Sequence, residues 1–253
     1  MGLSSESLTS YRSALRGLIE FAQESEGACA DELLVAAYVT SMRDHWAVRT
    51  TNHRITVFTK FGEYFGKQFL SDYKKKRPAQ GLNRSLPQGM SDVHRMVEYA
   101  RKTENANLLA ALALTGITAL RVGEALKVTI DDLDIENMVV AVQGKGGHER
   151  IVPLPYAALA LLEPALRRCE EDDDERLIRL SRSAICRAIK RAADIAADTE
   201  ASSHDLRATK LTHMARQGVD VVTIQNIAGH ADPRTTEIYI RSTMDDMRAA
   251  INV

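Results

Sequence analysis

The sequence predicts a mainly α-helical protein of two domains, the second carrying one small antiparallel sheet. Three observations point there. Aromatic residues make up 5% of the 253-residue chain while 45% of it is hydrophobic, so the cores are built from Leu, Ala, Ile and Val, which favours helices over a sandwich or barrel. Apolar residues recur at helical spacing through most of the chain. One hairpin pattern interrupts them, where the alternating run 139–142 enters a Gly-rich turn over 144–147 and returns along 151–154.

The elements follow in order. Tyr11, Leu15, Leu18, Ile19 and Ala22 share one face of a first helix, and Gly27 is placed to stop it. Asp31 is a candidate N-cap for a second helix over 31–46. Residues 48–65 give a third, with Ile55, Phe58, Phe61 (or Gly62) and Phe65 inward and Arg49, His53, Arg54 and Lys60 on the opposite, basic face. A fourth, short helix is expected over 67–75. Pro78, Gly81, Pro87 and Gly89 then break the chain repeatedly. This gives an N-terminal helical domain over 1–76, a linker over 77–90 and a second domain over 91–253. In that domain a helix capped by Ser91 precedes a long, largely buried helix over 105–128. After the hairpin come helices at 155–169 and 182–197, then one capped by Ser202 or Ser203 and ended by Gly218, then a short one ending at Gly229 and His230.

Charge is unevenly spread. The net charge of −1 does not announce a nucleic-acid partner, but residues 41–84 hold ten basic and three acidic residues, net +7, between flanks of −4 each. The basic block ends in YKKKRPAQGLNR, residues 73–84. It reads either as a solvated linker or as a footprint for phosphate, where Lys and Arg release counterions from a duplex. The candidate DNA-contacting residues are Arg49, Arg54, Lys60, Lys74, Lys75, Lys76, Arg77 and Arg84. Cys29, Cys169 and Cys186 are far apart with no CxxC pair, which argues against a disulfide framework and a Cys-based zinc site. No apolar secretory segment opens the chain, and the longest apolar run, 108–120, is too short to span a bilayer. The expected location is cytoplasmic and nucleoid-associated, with no membrane partner.

Several polar residues need a reason. Lys145 sits at the hairpin tip, either simply exposed or placed to reach into a groove. Arg121 falls near a buried helix end, where an unpaired guanidinium is costly, and Glu124 lies three residues on, close enough to pair with it. His204 and Arg207 emerge on one face near a helix N-terminus, which favours an anion. Residues 204–230 also read as a helix-turn-helix. Metal binding is not expected: His204 and His213 lie about 13 Å apart along one helix at 1.5 Å per residue.

Taken together, Arg121, Lys145, His204, Arg207, His230 and Tyr239 share one use. Arg and Lys suit a phosphate, His moves protons, and Tyr can be a nucleophile. At this point the sequence resembles the tyrosine recombinase family, of phage integrase and Xer-like type. The matching pieces are RVGEAL at 121–126, GKGGHERIVPL at 144–154, HDLRATKLTHMARQGVDVVTIQNIAGH at 204–230 and TTEIYIR at 235–241. The resemblance implies the tyrosine recombinase catalytic fold and an N-terminal core-binding domain. It implies site-specific cleavage and rejoining of double-stranded DNA at recombination sites through a 3′-phosphotyrosyl link. Tyr239 would be the nucleophile and His204 the base or proton relay. His230 would act in the phosphate or proton network, Arg121 and Arg207 would clamp the phosphate, and Lys145 would protonate the leaving group. Glu124 would orient its neighbours from behind. No metal is called for, because the arginines and lysine supply the positive charge that metal ions supply in two-metal nucleases, and no ATP, because the phosphotyrosine conserves the bond; no other cofactor is implied. The family works as a tetramer on two DNA sites, and Met244, Met247 and Ile251 give the tail a face that is expected to dock in trans. One departure is TALR at 118–121, with Ala119 where the family often has Gly; Ala favours helix, so a longer helix is expected. The competing readings are a non-enzymatic helix-turn-helix regulator and a type IB topoisomerase-like relaxing enzyme.

Overall fold

The computed structural model describes residues 5–25, 31–73, 89–144, 147, 149–230 and 236. The chain divides into two compact units, 1–84 and 85–253. The division falls inside the segment read as a linker.

The first unit holds α1 (Ser5–Glu24), α2 (Glu32–Ser41) and α3 (Val48–Tyr64). Asp31 caps α2 by accepting from the Leu34 amide at 2.8 Å. The core joins Ala14 and Leu18 to Val35, Tyr38, Val39, Ile55, Val57, Phe58 and Phe69. Tyr11, Leu15 and Leu18 of the expected inward face do pack on this core, but Ile19 is exposed and Ala14 is buried in its stead. Gly17 lets α1 approach Tyr38, whose hydroxyl would lie 2.3 Å from an added Cβ.

The expected helix over 67–75 is absent from the described residues, which end at Tyr73 in turns. The reason is local. Gly66, at φ 68°, stops α3 just beyond Phe65, and the Lys67 amide returns to the Gly62 carbonyl at 2.9 Å. The chain then doubles back to bury Phe69, whose ring would lie 2.8 Å from a Cβ on Gly62. Phe69 takes the place expected for Phe65, which is exposed.

The second unit opens with α4 (Gly89–Lys102), two residues before the expected Ser91 cap. Next come α5 (Ala106–Leu112), a π-helical turn (Ala113–Ile117) and the single turn α6 (Val122–Ala125). The long helix expected over 105–128 is thus broken in the middle. Ala119 takes a left-handed φ of 61°, so the longer helix expected from Ala in place of Gly does not form. Tertiary demand outweighs propensity here: Ala119 is fully buried against Leu211, Ile224 and Ala228, and its carbonyl is turned to a buried arginine.

A short strand, β1 (Leu133–Asp134), joins the hairpin of β2 (Val139–Gln143) and β3 (Glu149–Pro153) in an antiparallel sheet of order β1-β2-β3. The register pairs Val140 with Val152 and Gln143 with Glu149. Helices α7 (Tyr156–Glu171), α8 (Arg182–Ala197), α9 (Ser203–Arg216) and α10 (Val221–Ala228) complete the described elements. The main core packs α4, α5, α7 and α8 together with Val140, Val142 and Val152 of the sheet. Ser202 caps α9, with Asp205 bonding back to it, and Asp220 caps α10. Gly229 ends α10 at φ 58°. No described helix is long and apolar enough to cross a membrane.

Candidate active site

The breaks in the helices aim the polar residues. Residues 118–120 leave the π-turn irregularly, which makes Arg121 the N-cap of α6 and puts Glu124 in its first turn. Glu124 Oε2 accepts from the Arg121 amide at 2.9 Å, and Oε1 accepts from Arg121 Nη1 at 2.9 Å. The pairing read from the i, i+3 spacing is therefore present. Its burial is reversed, however: Glu124 is 6% exposed, whereas the Arg121 side chain is 42% exposed. Arg121 Nη2 also donates to the Gly229 carbonyl at 3.1 Å.

Arg207 is the swallowed arginine, 1% exposed within α9. It does not emerge at the surface beside His204, as the i, i+3 spacing predicted; His204 alone of that pair is exposed. Arg207 Nη1 donates to the Ala119 carbonyl and Nη2 to the Ala228 carbonyl, both at 2.6 Å. Those carbonyls belong to the break before α6 and the end of α10. Arg207 Nη2 also lies 3.0 Å from His230 Nε2, and Arg207 Nη1 is 3.9 Å from Glu124 Oε2.

His230 is buried, with Nδ1 2.9 Å from the hydroxyl of Thr236. The tautomer follows from chemistry. A guanidinium has no acceptor, so Nε2 must be the bare nitrogen and Nδ1 carries the proton toward Thr236. Burial, then the charges of Arg207, Arg121 and Arg150, push the His230 pKa down to about 4, so it is neutral near pH 7. Burial alone would raise the Glu124 pKa, but hydrogen bonds from Arg150 and Arg121 outweigh it and hold the carboxyl at about 2.

Arg150 was not among the residues singled out from the sequence. On β3 it forks onto Glu124, Nη2 to Oε2 at 2.9 Å and Nη1 to Oε1 at 3.1 Å. Its Nε donates to the Ile227 carbonyl at 3.2 Å. A signal was present: Arg150 has the same strand parity as buried Val152 and Leu154, while Ile151 between them is exposed. An arginine at an inward position needs a partner.

The structure thus brings together Arg121, Glu124, Arg150, Arg207 and His230: three guanidinium charges, one carboxylate and a neutral imidazole. The excess of two positive charges suits an anion, and half-exposed Arg121 is its accessible edge. Lys145 and Tyr239 lie outside the described residues, as do Lys74, Lys75, Lys76, Arg77, Arg84 and the tail. On α3, Arg49 and Lys60 are exposed. Arg54 is half-buried; it donates to the Tyr38 hydroxyl at 3.2 Å and stacks 4.3 Å over the Trp46 ring. Among the described residues no three His, Cys, Asp or Glu side chains converge as a metal would require.

A helical unit with one small sheet thus carries an arginine-rich centre at the junction of hairpin and helix ends. Residues 90–246 match the phage integrase family model, and the chain belongs to that family. It is 32% identical over 198 residues to the tyrosine recombinase XerA of Thermococcus kodakarensis, covering 74% of this chain and 70% of that one. It is 28% identical over 259 residues to the tyrosine recombinase XerD of Shewanella oneidensis, covering 94% and 86%. Among solved structures, the XerH site-specific recombinase bound to a palindromic difH substrate, a post-cleavage complex, superposes with a TM-score of 0.77 at 18% identity, covering 98% of this chain and 80% of that one. A lambda integrase tetramer bound to a Holliday junction gives 0.69 at 17% identity, covering 95% and 73%.

Proposed function

We propose that this chain is a site-specific tyrosine recombinase that cleaves and rejoins double-stranded DNA through a covalent 3′-phosphotyrosyl intermediate. The observation that carries this reading is the cluster of Arg121, Arg150 and Arg207 around one carboxylate, at the edge of which Arg121 is open to solvent. A scissile phosphodiester gains a further negative charge as it becomes pentacoordinate, and a preformed positive pocket stabilises that state more than the ground state. Tyr239 supplies the attacking oxygen. His204, exposed on the first turn of α9, takes its proton, and Lys145 gives one to the departing 5′-oxygen. Arg121 meets the non-bridging oxygens directly. Arg207, bonded to the Ala119 and Ala228 carbonyls, contributes its charge from beneath and holds His230 in register.

Residues 1–76 act as the core-binding domain, with Arg49 and Lys60 toward the DNA backbone and the basic segment 77–90 following it; such contacts position rather than specify. The working assembly is a tetramer on DNA, as in the lambda integrase complex named above. The tail docks in trans, and deletion of 243–253 weakens assembly on DNA while leaving the monomer folded; unchanged assembly would remove this part.

The test is covalent capture. A random-sequence library of nicked duplexes is incubated with the protein in EDTA and then denatured. Wild type retains a covalent protein–DNA adduct enriched for one sequence, and Tyr239→Phe retains none. An adduct that persists in the variant, or one that requires a divalent metal, rejects the scheme.

A further inference from the structure

Arg150 ties three elements to one point. Its guanidinium leaves β3, forks onto both oxygens of Glu124 on α6, and holds the Ile227 carbonyl near the end of α10. Gly229 lies directly beneath it: an added Cβ would come within 2.9 Å of Arg150 Cζ. Three of its N–H groups are therefore spent on protein acceptors, and its side chain is 16% exposed. It is poorly placed to touch a substrate and well placed to hold what does. Without it, Glu124 would keep the Arg121 amide and side chain as partners but would lose its anchor to the hairpin, and with it the second guanidinium that sets the angle of the carboxylate.

We propose that Arg150 is a positioning residue of the phosphate centre: by fixing the Glu124 carboxylate from the hairpin side, it holds Arg121 where the non-bridging oxygens of the scissile phosphate arrive. This rests on the recombinase reading. In the step concerned, the bond from Tyr239 Oη to phosphorus forms as the bond to the 5′-oxygen breaks. The tyrosyl proton passes to a base, the 5′-oxygen gains a proton, and the extra negative charge sits on the non-bridging oxygens. Arg150 touches no phosphate oxygen; it acts on that charge through its hold on Glu124 and Arg121 and through its share of the pocket's positive charge, so its contribution falls away when the charge is removed. A role in presenting the hairpin lysine to the leaving group would persist.

The experiment uses the full chain and the duplex obtained by covalent capture, nicked, in three forms: natural phosphate, methylphosphonate at the scissile position, and a 5′-bridging sulfur, which leaves without needing a proton. Adduct formation is followed in single turnover at saturating protein, with DNA affinity measured separately. Arg150→Gln is expected to slow the natural substrate about 100-fold, the scale of losing one preorganised donor to a developing oxyanion. DNA affinity is unchanged, and Arg150→Lys, which keeps the charge but not the fork, falls between. On the methylphosphonate, both variants approach the wild-type rate. Equal slowing on phosphate and methylphosphonate overturns the proposal, as does rescue by the bridging sulfur alone or a wild-type rate on the natural substrate. If Arg150→Gln does not fold, Arg150→Lys decides on the same criteria. Failure of wild type to form an adduct with any duplex sinks the recombinase reading and this inference with it, whereas wild-type behaviour of the variants sinks this inference alone.

Discussion

Replacing Glu124 by Gln removes the one negative charge from among three guanidinium groups. The carboxylate accepts from Arg121 Nη1 and from the Arg121 amide at 2.9 Å, and from Arg150 at 2.9 and 3.1 Å, with Arg207 at 3.9 Å. Gln keeps the shape but turns an NH₂ group toward donors, which leaves at least one arginine N–H without an acceptor. The size of the loss follows from how far the surrounding donors depress the carboxyl. The carboxyl is held at about 2 against an ordinary value of 4.5, which corresponds to about 3 kcal/mol at 1.36 kcal/mol per pH unit. Removing one partner of a buried pair costs about 3–5 kcal/mol, in agreement. The sign is that of a depressed acid: the stabilisation is complete above about pH 4.5 and disappears as pH falls toward 2. Urea denaturation of wild type and Glu124→Gln from pH 7 downward measures it. A gap of about 3 kcal/mol that closes below pH 4.5 is the expected result. A gap under about 1 kcal/mol at pH 7, of the size of an exposed ion pair, would refute the reasoning.

Three further predictions address the geometry around that carboxylate. Gly229→Ala places a Cβ at φ 58° and 2.9 Å from Arg150 Cζ, so thermal unfolding should show a loss of at least the about 1–2 kcal/mol of left-handed strain; an unchanged melting temperature contradicts the packing described. At Ala119, relief of left-handed strain offsets the lost methyl and the added chain freedom, so Ala119→Gly should cost under about 1 kcal/mol in denaturant, against about 2 for a buried helix interior. His230 should appear in ¹⁵N NMR as the Nδ1-protonated tautomer at pH 7 and titrate near pH 4. Because its folded pKa lies below the ordinary 6.5, its neutral form stabilises the protein fully above about pH 6.5, and that contribution is lost as pH falls to 4; titration near 6.5 would show that the histidine is not enclosed.

The parts of the fold legible in the sequence were those set by local chemistry. The hairpin was carried by alternation and glycines, the cap Asp31 and one of the two candidate serines, Ser202, by their position before apolar periodicity, and the Arg121–Glu124 pair by its spacing. What failed was set by distant contacts. Ala119 reads as helix former, and only the burial of its methyl against α9 and α10, with its carbonyl turned to Arg207, shows why the helix breaks there. Arg207 was read as a surface residue because its spacing from His204 says nothing of the π-turn and α10 that enclose it. Phe69 was lost in a supposed helix because its partner, Gly62, lies before the turn. Arg150 is legible through strand parity, since it shares the inward parity of Val152 and Leu154.

The central claim is that Tyr239 bonds to a DNA 3′-phosphate held at the arginine centre. Its most direct measurement is mass mapping of the captured adduct after protease and nuclease digestion. The account predicts one modified peptide, spanning residues 235–241, with a 3′-nucleotide phosphate on Tyr239 and none formed by Tyr239→Phe. A nucleotide on any other residue, or a 5′-phosphate linkage, would contradict it.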